Sequence, residues 1–225
     1  MAAVVKVSKN LIARIWKEAD LKPHRLERYM ASNDPQFEEK AAAIIGLYLN
    51  PPQNAAVFCV DEKSAIQALD RLDRRLPLSP GRAEKHGFEY YQHGTLSLYA
   101  ALNSQTGEVL GQTAMRHTSQ EFVSFLGDVV ATQPDGRQIH VILDNFSAHK
   151  TDLVKCFLEQ HDNVKLHFTP TYSSWLNQVE SWFSKLQRDV IDRGIFTSVK
   201  DLKRKILRYI RLYQKTAKTI SLEIL

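Results

Sequence analysis

The stretch that most constrains this chain is Gln138-Ile139-His140-Val141-Ile142-Leu143-Asp144-Asn145. Four of its residues are large and aliphatic, and three of those four are β-branched. Such a run reads as a strand buried on both faces, in the middle of a parallel or mixed sheet. The run ends in a carboxylate. In open α/β sheets, ligands bind where strands reach their carboxyl edge. Asp144 is therefore expected to be held rigidly and still reach solvent.

Two further carboxylates join it. Asp61 ends a similar run, Ala55-Ala56-Val57-Phe58-Cys59-Val60. Glu180 lies in Trp175-Leu176-Asn177-Gln178-Val179-Glu180-Ser181-Trp182-Phe183, which reads as a helix. Ser173, Asn177, Glu180, Ser184 and Gln187 have the spacing of one helical face, with Glu180 mid-way along it. Leu176, Val179, Phe183, Leu186 and Val190 form the apolar stripe beside it. Three carboxylates from two strand ends and a helix suit hard cations, which take oxygen ligands. Two such ions about 3.5–4 Å apart stabilise both the attacking and the leaving oxygen of a phosphodiester displacement. Mg2+ or Mn2+, as two ions, is the expected cofactor. Taken singly, an Asp at a strand end is most often a turn or cap residue, so the reading rests on all three together. Glu62, next to Asp61, is expected to face the other way and to be structural or a minor helper.

At 225 residues the chain is long enough for one large domain with a small appendage. No apolar run approaches the roughly 20 residues that span a membrane, and Met1 to Lys6 is charged too soon for a signal peptide. A cytoplasmic, nucleoid-associated protein is expected. Cys59 and Cys156 both sit in apolar runs and are expected to be buried free thiols. Charge is uneven. Residues 181–225 hold 11 Lys and Arg against 4 Asp and Glu, a net +7, so the other 180 residues carry −2 of the chain's +5. A basic segment on a nearly neutral body points to a polyanion, although a solvated helix face has the same composition.

Taken in order, residues 8–19 form a short amphipathic helix that Ser8 can cap, followed by a basic linker around Pro23. A second helix runs from about Gln36 to Leu49 and stops at Asn50-Pro51-Pro52. The domain boundary is placed there, giving residues 1–50, 51–215 and a tail 216–225. Residues 62–93 show no clean period and read as a long loop carrying Arg71, Arg74, Arg75, Arg82 and Lys85. A strand pair follows (94–103 and 109–115), then a helix near 119–131 with Ser119 as its cap. The Asp144 strand comes next, then a helix near 151–160, a strand at 164–168 and a basic helix from 201 to about 215.

Three segments together carry a resemblance. Val60-Asp61-Glu62-Lys63-Ser64, Leu143-Asp144-Asn145-Phe146-Ser147-Ala148-His149-Lys150 and Thr169-Pro170…Trp175-Leu176-Asn177-Gln178-Val179-Glu180 resemble the signatures of the mariner-like superfamily of DDE transposases, in the branch of bacterial insertion sequences. The 35 residues between Asp144 and Glu180 match that family's gap, and the resemblance covers roughly residues 8 to 215. It implies a ribonuclease-H-like mixed sheet with helices on both faces, preceded by a partial helix-turn-helix. It also implies metal-dependent cleavage of DNA at transposon ends and strand transfer into a TA target, with a homodimer as the active assembly. Asp61, Asp144 and Glu180 would then be the catalytic metal ligands. Asn145 would bind a phosphate or make the turn. His149 would orient water, contact phosphate or cap a helix. Asn177 would position Glu180. Lys9, Arg14, Lys17, Lys22 and Arg25, with Lys203, Arg204, Lys205 and Arg208, would contact DNA. Two alternatives stand beside this reading: an inactive DNA-binding remnant of such a transposase, and a ribonuclease-H-type nuclease acting on RNA–DNA hybrids.

Overall fold

A computed structural model describes residues 8, 10, 11, 14, 32–71, 80–82 and 89–219. Its contacts divide the chain into two units, Met1–Ala31 and Ser32–Leu225. In the first, Asn10, Leu11 and Arg14 are helical. The Leu11 amide donates to Ser8 Oγ (3.2 Å), as a cap at Ser8 requires. Lys9, Lys17, Lys22 and Arg25 lie outside the described residues, as do Arg74, Arg75 and Lys85.

The second unit is built on a five-stranded sheet of order β3-β2-β1-β4-β5. Its strands are β1 (Ala55–Arg71), β2 (Tyr90–Asn103), β3 (Val109–Ala114), β4 (Gln138–Leu143) and β5 (Val164–Phe168). β1 pairs antiparallel with β2 and parallel with β4. β2–β3 is antiparallel and β4–β5 parallel. The sheet is thus mixed, and its two central strands, β1 and β4, are the apolar runs that end in aspartates. Helices cover both faces. Ala56, Phe58, Val60, Ile139, Val141 and Leu143 meet α2 (Ser119–Ala131) and α3 (Asp152–Gln160) through Phe122, Phe125, Val154 and Phe157. The alternate residues Val57, Cys59 and Ile142 pack with α1 (Phe37–Leu49), α4 (Val179–Leu186) and α5 (Val199–Gln214).

Several elements differ from the sequence reading. The strand that was expected to stop at Asp61 continues ten residues further, to Arg71, and β2 begins at Tyr90. Much of the expected loop is therefore a two-stranded arm that pairs as far as Arg71↔Tyr90. Two bulges, between Lys63 and Ile66 and between Gln67 and Leu69, shift its register. Ala65 in the first takes a φ of 53°. Bulges break the two-residue alternation by which a strand is recognised. Helix α1 packs in the core through Ala41, Ile44 and Leu47, so the compact unit starts at Ser32, ahead of the boundary placed at residue 50. Thr118, rather than Ser119, caps α2: its side chain and that of Glu121 form a reciprocal capping box. Cys59 is buried as expected, but Cys156 is exposed on α3. The last helix is found at Val199–Gln214, capped by Ser198 Oγ on the Asp201 amide.

Candidate active site

The site begins with register. β1 and β4 run parallel, with Cys59 opposite Ile142. Two residues further on, the same register sets Asp61 beside Asp144. Residues in parallel register share a face, here the face of Cys59 and Ile142, against which α4 packs. Glu180 is the second residue of α4. The structure thus brings Asp61, Asp144 and Glu180 to one face of the sheet at its carboxyl edge.

The expected helix around Glu180 is three pieces. Ser174–Leu176 form a 3-10 turn, Asn177 is extended (φ −91°, ψ 100°), α4 follows, and Gln187–Ile191 make a π-helical turn. Glu180 therefore sits in the first turn of α4, not mid-way along a continuous stripe. The break has a cause. Asn177, 1% exposed, turns inward and donates from Nδ2 to Val60 O (3.1 Å) and Asp61 Oδ2 (3.4 Å). Its own carbonyl accepts from the Glu180 amide (3.0 Å). Asn177 was expected to position Glu180; it also pins Asp61, so one residue ties β1 to the start of α4.

A backbone amide holds each aspartate at Oδ1. Asp61 Oδ1 accepts from the Glu62 amide (2.8 Å). Asp144 Oδ1 accepts from the Phe146 amide (3.0 Å) and lies 3.1 Å from His149 Nδ1. His149 is 2% exposed, its ring tilted against Phe122 and edge-on to Phe146. Its other nitrogen, Nε2, lies 3.5 Å from Glu62 Oε2. His149 thus stands buried between two carboxylates, within ion-pair distance of each. Glu62 faces the opposite side of the sheet from Asp61, as its neighbouring position demands, and there it meets His149. No sequence signal marks this pairing, because the partners are 87 residues apart.

Asn145 is engaged by protein groups. Its Nδ2 donates to Thr169 O, its Oδ1 accepts from Lys150 Nζ (2.7 Å), and Lys150 lies over the Phe168 ring. Of its two expected roles it fills the turn, fastening the exit of β4 to that of β5. Lys150 was not anticipated. A cavity of about 300 Å³ opens beside Asp144, lined by Asn145, Phe146 and residues 169–174. Trp182 is buried in the core, whereas Trp175 is 68% exposed near this rim.

The electrostatics follow from the crowding. Burial pushes the Asp61 carboxyl up to about 8. The Glu62 amide opposes this, while the charges of Asp144, Glu180 and Glu62 add to it. Asp144 is lowered: burial works against its charged form, but His149 and the Phe146 amide outweigh burial. His149 is raised to about 9, its burial overcome by Asp144 and Glu62. Among the described residues no three His, Cys, Asp or Glu side chains close to metal-ligating range as they stand. The three carboxylates share one mouth of the sheet, and Asp61 feels the charges of the other two.

The basic residues divide in two. Lys203 and Arg208 on α5 face solvent. Arg204 and Lys205 are paired with Asp201 (2.5 and 2.7 Å), and Lys205 also donates to Ile195 O. Arg14 is exposed on the helical turn of the first unit. No helix among the described residues is long and apolar enough to cross a membrane.

A mixed five-stranded sheet of this order, covered by helices on both faces and carrying acidic residues at the carboxyl edge of its central strands, is a ribonuclease-H-like domain. Comparison narrows the class: a family model described as DDE superfamily endonuclease matches residues 56–203. The chain belongs to the DDE superfamily endonuclease family. It is 30% identical over 168 residues to the insertion element IS630 uncharacterized 39 kDa protein of Shigella sonnei, with 72% of this chain and 46% of that protein covered. The chain thus spans about half the length of that relative. Among solved structures, the mariner Mos1 paired end complex with Mg matches with a TM-score of 0.67 at 15% identity, covering 94% of this chain and 65% of that one. The crystal structure of the catalytic domain of Mos1 mariner transposase matches with a TM-score of 0.56 at 12% identity, covering 83% of this chain and 85% of that one. At these identities the likeness is one of fold.

Proposed function

We propose that the chain carries the catalytic domain of an insertion-sequence transposase, which cleaves DNA at the ends of its element and joins the freed 3′-hydroxyl to target DNA. The observation that supports this most directly is the meeting of Asp61, Asp144 and Glu180 on one face at the carboxyl edge of the sheet. These three residues hold the divalent cations, Mg2+ or Mn2+. The donor set fits: all are carboxylates, and the burial that, with the added charges of Asp144, Glu180 and Glu62, keeps Asp61 protonated to about pH 8 penalises an anion that a dication would stabilise. Mos1 supplies a parallel, its paired end complexes having been solved with Mg and with Mn.

When bound, such ions supply activation of a water or 3′-hydroxyl for in-line attack and charge stabilisation at the leaving oxygen. The chain supplies placement. Asn177 fixes Asp61 against the start of α4, and the parallel β1–β4 pairing brings the strand ends that carry Asp61 and Asp144 together. Lys203 and Arg208 contact the DNA backbone, so the bound duplex is held by charge rather than by sequence. The active assembly is a homodimer that pairs two ends, as the Mos1 paired end complexes suggest.

The test is strand cleavage of a duplex bearing the element's end, measured beside DNA binding and a thermal melt. Asp144→Asn and Glu180→Gln should each abolish Mn2+-dependent cleavage and leave the fold and DNA binding nearly intact. The double variant should be little worse than either, since residues acting as a unit are not additive. Cleavage by Glu180→Gln at the parent rate, or equal cleavage in excess chelator, would sink the proposal.

A further inference from the structure

We propose that Glu62 and His149 are positioning residues for Asp144: together they occupy its Oδ1 so that Oδ2 is the oxygen offered to a cation. This rests on the reading of Asp61, Asp144 and Glu180 as a metal site. Asp144 is the first residue beyond β4, so no ladder on its own side fixes its side chain. Its Oδ1 instead accepts from the Phe146 amide, and His149 Nδ1 stands 3.1 Å from the same oxygen as an ion-pair partner, outside hydrogen-bond geometry.

His149 can do this only because it is itself fixed. The ring is buried between Phe122 and Phe146, and its far nitrogen faces Glu62 Oε2. Glu62 lies in the paired centre of the sheet, opposite Tyr99. The chain of contacts Glu62–His149–Asp144 therefore runs from the face away from the site, around the end of β4, to the site itself. Stability does not account for it. Burying a carboxylate and an imidazole in contact gains little over packing apolar side chains of the same volume. Orienting a ligand does account for it, because removing outer partners of this kind costs about 10- to 100-fold in metal affinity.

The experiment is Mn2+ binding to the whole chain without DNA, by isothermal titration, with melts on the same samples. Glu62→Asp keeps the negative charge but withdraws it from His149 by one methylene, whereas Glu62→Gln removes the charge. Positioning predicts that both weaken Mn2+ binding about 10- to 100-fold; a long-range charge effect would weaken only the Gln variant. His149→Phe keeps a ring between Phe122 and Phe146 but offers no nitrogen, and should weaken binding by the same factor. Adding Glu62→Asp to it should change little, since the two act through one contact. Parent-like Mn2+ affinity in Glu62→Asp overturns the proposal, whether or not His149→Phe folds. Lower melting with unchanged affinity overturns it equally, because that is a structural role alone. Asp144→Asn separates the two levels. If it binds Mn2+ like the parent, the metal-site reading falls and this proposal with it. If it loses Mn2+ while Glu62→Asp does not, only the positioning falls.

Discussion

Asp61→Asn should stabilise the cation-free protein, by an amount that grows with pH. The folded chain holds the Asp61 proton up to about pH 8, whereas an unfolded Asp releases it near its ordinary value of about 3.9. Between those values the folded state binds more protons than the unfolded one, so stability falls as pH rises. Below about pH 4 both states are protonated and nothing is lost. Above pH 8 the loss is complete. Each tenfold in proton concentration costs about 1.4 kcal/mol, so the ceiling is on the order of 5 kcal/mol. For a chain of this size that is on the order of 10 °C in melting temperature. Asn carries no charge to desolvate and escapes the slope. The assay is a set of thermal melts in chelator from pH 4 to pH 9, parent against variant. A constant offset between the two reports only the altered contact with Asn177; the pH-dependent part reports the carboxylate. Mn2+ should reverse the order at pH 8, raising the parent's melting temperature by mass action and the variant's far less. A melting difference that does not change from pH 4 to pH 9 would refute the reasoning.

Lys203→Ala with Arg208→Ala should weaken binding to any duplex and lower the slope of log affinity against log salt by roughly 2, about 0.9 for each phosphate no longer neutralised; an unchanged slope would make them solvated bystanders. Arg204→Ala and Lys205→Ala should alter that slope less, because both side chains are committed to Asp201. Gly107→Ala should cost more than about 1 kcal/mol in denaturant melts, since Gly107 has a φ of 74° and an added Cβ would fall 2.0 Å from the Lys218 carbonyl oxygen. An unchanged midpoint would mean that the segment after α5 does not rest on the β2–β3 turn. Tyr48→Phe removes a donor to Leu176 O (2.7 Å) and should cost about 1–3 kcal/mol by leaving that carbonyl unpaired, read as a lower midpoint with an unchanged denaturant slope.

The central strands and their aspartates were legible because burial on both faces writes an unbroken apolar run. The hairpin was legible from two apolar strands around the 104–108 turn, and α2 from a period of 3.6. The arm was not. Beyond Asp61, Glu62, Lys63 and Ser64 interrupt the apolar run, and the bulges shift its phase before Ile66 and Ala68 return to the core. The segment before Glu180 misled for the opposite reason. Ser173, Asn177 and Glu180 are spaced as on a helix, but Tyr172 takes a φ of 60° and the Asn177 amide is drawn to Val60 O. Spacing records which residues could share a face, not which hydrogen bonds outbid the helix. Glu180 was found all the same, because its distance from Asp144 along the chain survives the break. The bridge at His149 left no trace, since a contact across the sheet end has no period at all.

The length of β1 has a mechanical consequence. One strand of 17 residues serves as both the spine of the sheet and one rail of the arm. At about 3.3 Å per residue it spans roughly 56 Å, and whatever pulls on the arm pulls on the strand that bears Asp61. The bulge between Lys63 and Ile66 lies between load and site. A bulged strand bends there first, while Asp61 is bolted just upstream by Asn177. The arm is tied back beyond the bulge, where Leu69 O accepts from the Phe196 amide (2.8 Å), so load on it is shared with the segment before α5 before it reaches the carboxylate.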